Sequence, residues 1–225
     1  MIGYHFTGDK LRDGRPIPPV NEWLEHDGPV EPCKSGLHAS EHAFDALMYA
    51  PGNQLHRVEL EGDLVSHGNP VDKWVGRRRR ILASINVESL LREFARWCAS
   101  QVIHLWDAPQ VVRDCLETGN ESLRDAARDA AWCASRDASG DAACDAAWYA
   151  ARDAACDAAC DAAVSAACDA AWCAARAAAC DAAWCASRAA TWDASRDAAE
   201  DAARAAQRSK FAAMVDDFFA AKQTY

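Results

Sequence analysis

Hydrophobic and polar positions along this chain follow two different rhythms. In residues 1–86 short alternating runs are separated by Gly- and Pro-bearing segments, the pattern of strands and turns. Gly3 to Thr7 reads as a first strand, followed by a loop through Pro16 and Pro19. Ser40 stands where a helix N-cap belongs, ahead of a helix over 41–49 that Pro51 and Gly52 end. Leu55 to Leu60 alternates as a second strand, with Glu61, Gly62 and Asp63 as its turn. Another strand is expected after Gly76, where Arg77 to Arg80 lead into Ile81 and Leu82.

Helical spacing takes over at Val87. Leu90, Leu91 and Phe94 lie on one face of an amphipathic helix that runs to Leu105 or Trp106. Pro109 opens the next helix, and Gly119 with Asn120 closes it. From Arg124 to Ala206 the chain is written four residues at a time, as in Arg124-Asp125-Ala126-Ala127 and Cys156-Asp157-Ala158-Ala159. Trp, Arg or Cys fills the first slot and mostly Asp the second. Ala or Ser fills nearly all of the last two. Ala and Arg are strong helix formers, so this stretch reads as helix throughout, with Ser139 and Gly140 as its best break. A period of four overshoots the helical turn by about 40° per repeat. The alanine stripe therefore circles the helix and favours a right-handed superhelix, or else several packed helices. Trp132, Trp148, Trp172, Trp184 and Trp192 all take the first slot and read as knobs between Ala-lined helices.

The fold class expected is α+β: a small mixed head over 1–86, a helical joint over 87–120, and an all-α alanine-rich repeat over 121–225. Asp residues repeat at four-residue spacing along the last part, including Asp145, Asp153, Asp157 and Asp161. Arg residues three positions on offset them, as Arg128 does for Asp125. This Asp/Arg face is a candidate contact for a protein partner. The alanine stripe is a candidate surface for homo-oligomerisation.

Charge sharpens the picture. The net charge is −10, which argues against binding a nucleic-acid backbone and favours a basic protein partner. Arg77 to Arg80 are expected to meet the molecule's own carboxylates. No apolar run reaches the ~18 residues of a membrane span. The 11 Cys behave in the repeat as small packing residues, and the expected location is cytoplasmic. No Cys pair has zinc-ligand spacing and the repeat holds no His, so neither a metal nor a cofactor is expected.

Cys33-Lys34-Ser35-Gly36-Leu37-His38-Ala39-Ser40 resembles the core of a domain widespread in phage and bacterial genomes. In that family an Asp-x-x-x-Tyr helix follows, here Asp45 to Tyr49, and then a strand ending in Glu-x-x-Gly, here Glu59 to Gly62. The resemblance covers residues 1–85 and implies no particular activity. Arg96-Trp97-Cys98-Ala99 and His104-Leu105, ahead of an alanine repeat, are similar to proteins described as bacterial immunity proteins, which implies a setting of phage–host or toxin–immunity conflict. The leading expectation is a non-enzymatic interaction protein whose contacts include Gly36, Leu37 and His38.

Two alternatives stand beside it. The order of His5, Tyr49 and Glu59 resembles that of ADP-ribosyltransferases. There a His near the first strand, a Tyr that stacks on nicotinamide and a Glu that polarises the ribose do the chemistry. Here the spacing is compressed, and Phe6 replaces the Gly that usually follows the His. The other alternative is an acidic inhibitor that imitates nucleic acid through its Asp face.

Overall fold

A computed structural model describes residues 1–105, 107–137 and 192–222. Their strands and helices make the chain α+β. It divides into two compact units, Met1–Leu90 with Lys210–Tyr225, and Leu91–Ser209. The C-terminal segment thus groups with the strands, whereas the sequence placed it with the repeat.

In the first unit β1 (Ile2–Thr7), β4 (Gln54–Glu61), β7 (Arg78–Asn86) and β2 (Trp23–Glu25) form an antiparallel sheet in the order β1-β4-β7-β2. A second sheet has the order β3-β6-β5, from β3 (Leu37–Ala39), β6 (Lys73–Gly76) and β5 (Val65–His67). The two meet where Tyr4 and Ser40 exchange main-chain hydrogen bonds of 2.7 and 2.9 Å. Gly3 permits this approach, since a Cβ there would stand 2.6 Å from the Ser40 carbonyl oxygen.

Register assigns each residue of the larger sheet to a face. His5 lies opposite His56, Thr7 opposite Gln54, and Leu60 opposite Arg79. Because side chains alternate along a strand, His5, Thr7, His56, Val58, Leu60 and Arg79 share one face. Val58, Leu60 and Ile81 on that face pack with Ala39 of the second sheet, flanked by Leu37 and Trp74. Pairing jumps from Arg57–Ala83 to Val58–Ile81, which leaves Leu82 unpaired in a bulge. Beyond the bulge β7 turns over, so Ile85 joins Phe6 and Leu55 on the opposite face, all three buried.

The arginine run divides by the same alternation. Arg78 and Arg80 lie on the outer face, where they bind Glu61 and Glu59, each at 2.6 Å, and both flank the Trp23 ring. Arg77 binds Asp63 at 2.8 Å. Arg79 alone of the four points inward and is buried.

The predicted helix over 41–49 shrinks to α1 (Ala43–Leu47), all five residues of which are buried. Ser40 does not cap it, because its main chain is taken by Tyr4; the N-cap is His42, without a side-chain bond. Phe44 meets Phe211 edge-on at 6.3 Å. Phe211 belongs to the last described helix, α5 (Trp192–Lys222), where Phe211, Met214, Val215 and Phe219 form a buried stripe.

In the second unit α2 (Glu88–Val102), which starts in the first, stacks Phe94 on Trp97 at 6.0 Å. α3 (Gln110–Thr118) begins after Pro109 and ends at Gly119, which takes the left-handed conformation expected of a C-cap. It packs on α4 (Arg124–Asp137) through Val112, Ala127 and Ala131. In the first two tetrads the last alanine is therefore the packing position, while Asp125 and Asp129 are exposed. Arg128 bridges Asp125 at 3.1 Å, as the spacing implies. Arg204 bridges Glu200 at 3.0 Å. Gly140, Asp145, Asp153, Asp157, Asp161 and the side chains of the five repeat tryptophans lie outside the described residues.

Candidate functional site

A cavity of about 650 Å³ opens on the inward face of the larger sheet. His5 and Thr7 of β1, Leu24 of β2, Arg79 of β7 and Lys73 of β6 line it, with the segment Cys33–Ser40 and the loop after β1. Its volume lies within the range of small-molecule sites.

Arg79 defines its floor. It is 6% exposed, and its Nη1 donates to the His38 carbonyl oxygen at 2.5 Å. Among the described residues no carboxylate lies within ion-pair reach of it. Burial alone lowers its pKa to about 10, which leaves it charged at neutral pH. Lys73, 8% exposed, is the second buried cation; its Nζ sits 3.8 Å from the Tyr49 ring centroid. Tyr49 in turn donates its hydroxyl to Asp72, whose other oxygen meets His67 Nδ1 at 3.1 Å. Burial, with that bond second, raises the Tyr49 pKa, so Tyr49 holds its proton.

His5 and His38 line the cavity, and His56 lies opposite His5 on the same face of the sheet. Burial lowers the His38 pKa to about 4, helped by the nearby charges of Lys73, Arg79 and Arg12. Its Nε2 is buried without a hydrogen-bond partner. His56 is held to about 4 by burial and Arg79. The Thr7 hydroxyl donates to the Gly8 carbonyl at 3.0 Å, so at 2.8 Å it accepts from His56 Nε2. That tautomer leaves His56 Nδ1 as a bare, buried acceptor with no partner. His5 is pushed well below the ordinary value by burial and then by Arg79, His56, His38 and Arg12. At neutral pH all three rings are uncharged, and the positive charge belongs to Arg and Lys.

At the mouth stand Lys10, Arg12, Arg15 and Lys34, all exposed. Arg15 is tied to Asp13 at 2.7 Å and Lys34 to Glu31 at 3.4 Å. Asp13 is the one acidic side chain in the lining. Lys10, Arg12 and Arg79 make no ion pair with a carboxylate among the described residues, whereas Lys73 acts on the neighbouring Asp72. In a chain of net charge −10, this concentrated positive field is the chemical character of the site.

Gly36, Leu37 and His38, the candidate contacts of the sequence, line the cavity. Leu37 and His38 lie in β3, and Gly36 precedes it at φ 112° with its would-be Cβ 2.5 Å from a Val75 methyl. His5 and Tyr49 also line the cavity. Glu59 does not: it lies on the sheet's other face, bound to Arg80 at 2.6 Å. The structure therefore separates the carboxylate of the transferase-like constellation from its His and Tyr. Sequence reading missed Arg79 and Lys73. Strand alternation from Ile81 marked Arg79 as inward-facing, whereas nothing marked β6 as a strand.

Residues 1–93 match a family described as a domain of unknown function (DUF7666). No curated protein matches the chain, and no solved structure does. Among the described residues no group of three His, Cys, Asp or Glu side chains is placed to hold a metal ion.

Proposed function

We propose that the chain is a non-enzymatic interaction protein whose first unit binds an anionic, phosphate-bearing small molecule in the cationic cavity. One observation carries this reading: Arg79 is a buried, charged guanidinium facing a cavity with no carboxylate partner among the described residues. Burying an unpaired charge is costly. An oxyanion in the cavity offsets that cost, and a guanidinium fork suits phosphate better than any other side chain does.

The alanine-rich repeat, as a right-handed superhelix or packed helices, is the scaffold in this reading. Its Asp/Arg face meets a protein partner or a second copy of the chain. Burial of Ala127 and Ala131 against Val112 supports the alanine slots as packing surface. The resemblances noted in the sequence supply the setting of phage–host or toxin–immunity conflict in the cytoplasm.

The test is calorimetric titration of the full chain with pyrophosphate and ADP, on the wild type and on Arg79→Gln. Saturable binding weakened at least about tenfold, or ~1.4 kcal/mol, by the substitution is the expected result. No saturable binding by either probe sinks the reading. Light scattering over a wide concentration range tests the assembly role: a mass that stays monomeric removes homo-oligomerisation from it.

A further inference from the structure

The cavity's cations fall into two tiers, distinguished by burial. Arg79 and Lys73 are 6% and 8% exposed and form the inner tier with His38. Arg12 and Lys10 are exposed, on the loop after β1, and form the outer tier. Both tiers line the one cavity that His5 and His38 also line. Arg12 and Arg79 act electrostatically on the same two rings, His5 and His38.

Resting on the phosphate-binding reading, we infer that the ligand is an organic diphosphate, with one phosphate held by Arg79 and Lys73 and the next met by Arg12 and Lys10.

Charge balance is the first argument. Three cations, Arg79, Arg12 and Lys10, make no ion pair with a carboxylate among the described residues, and a single phosphate monoester brings at most two negative charges. A diphosphate ester brings about one more and distributes its charge along a line. Like charges repel, so a buried and an exposed cationic centre on one cavity wall are best served by two linked anions. The buried tier gives the greater energy per contact, because charges there are screened least by water. The exposed tier adds length selectivity and draws the anion in from solvent.

Volume is the second argument. A diphosphate alone leaves much of a 650 Å³ cavity empty. The remaining wall includes Leu11, Leu24, Leu37 and the Tyr49 ring, apolar surface that suits an organic body such as a nucleoside or sugar.

The experiment compares inorganic phosphate, pyrophosphate, AMP and ADP against the full chain by calorimetry. ADP is expected to bind at least about tenfold more tightly than AMP, and pyrophosphate between ADP and inorganic phosphate. Lys10→Gln with Arg12→Gln, both at exposed positions, should weaken ADP more than AMP and close most of the gap between them. Arg79→Gln should weaken both, with thermal melting used to confirm that the variant is folded. Equal affinities for AMP and ADP overturn the two-tier inference and leave the phosphate-binding reading standing. Pyrophosphate binding as tightly as ADP overturns the organic body. Saturable binding by none of the four probes overturns both.

Discussion

Arg79 of β7 donates from Nη1 to the main-chain carbonyl of His38 in β3, a 2.5 Å bond that links the two sheets of the first unit beneath the cavity. The bond satisfies one donor and leaves the charge unbalanced. Burial draws its pKa down to about 10, which counts against the charged, folded form and is partly offset by a hydrogen bond worth about 1 kcal/mol. Arg79→Met, which keeps the volume and removes the charge, is expected to raise the stability of the ligand-free protein by roughly 1–2 kcal/mol while it abolishes ligand binding. Urea denaturation with calorimetry on the same sample checks both. A variant that loses stability and still binds would remove Arg79 from the site.

Acid should loosen the first unit in a defined window. His38 and His56 have folded-state values of about 4 against an ordinary 6.5. Between those values the unfolded chain binds more protons, so stability rises with pH there. It is complete above about 6.5 and lost as pH falls towards 4, with each ring contributing up to about 3 kcal/mol. Denaturation midpoints measured from pH 7 to pH 4 should fall steadily, and His56→Gln should flatten the slope. A flat profile in the wild type would mean that these rings are already protonated or already exposed.

Glu59 and His5 come from neighbouring strands and serve opposite faces of the sheet. Glu59→Gln breaks the 2.6 Å pair with Arg80, a partly exposed bridge worth about 0.2–1 kcal/mol, and should leave ligand affinity unchanged. His5→Ala should weaken binding, because its ring lines the cavity. If Glu59→Gln instead impaired binding or any turnover as strongly as His5→Ala, the transferase-like constellation would return.

Two glycines separate steric from conformational cost. At Gly3 a Cβ meets the Ser40 carbonyl oxygen at 2.6 Å, so Gly3→Ala pushes apart the Tyr4–Ser40 bridge that joins the sheets. The expected loss is about 2–4 kcal/mol. At Gly14, with φ 85° and nothing within 4 Å of a would-be Cβ, Gly14→Ala carries only backbone strain, about 1 kcal/mol. Thermal melts of the two variants rank them, and a larger drop for Gly14→Ala would contradict the joint at Gly3.

Strands with enough residues to show alternation were legible: β1, β4 and β7 lie where Gly3 to Thr7, Leu55 to Leu60 and the run into Ile81 placed them. So was the stop at Gly119, where a left-handed residue ends α3. β2, β3 and β5 have three residues each and β6 has four. At that length no period distinguishes strand from loop, and their pairing partners, distant in sequence, define them. The Ser40 reading failed for a similar reason: the local cap signal was outweighed by a main-chain bridge to Tyr4.

By itself the sequence determined the α+β class, the three longer strands, and the fate of Arg77, Arg78 and Arg80 among the chain's own carboxylates. It did so because alternation, turn chemistry and the count of acidic residues are local or bulk properties. Tertiary structure alone decided that Arg79, identical in type to its three neighbours, is buried beneath His38 without a carboxylate partner among the described residues. The same structure gathers Arg12, Lys73, His5 and His38 around one cavity. Those groups come from different strands and loops, and only sheet register and the Gly3 crossing bring them into one electrostatic field.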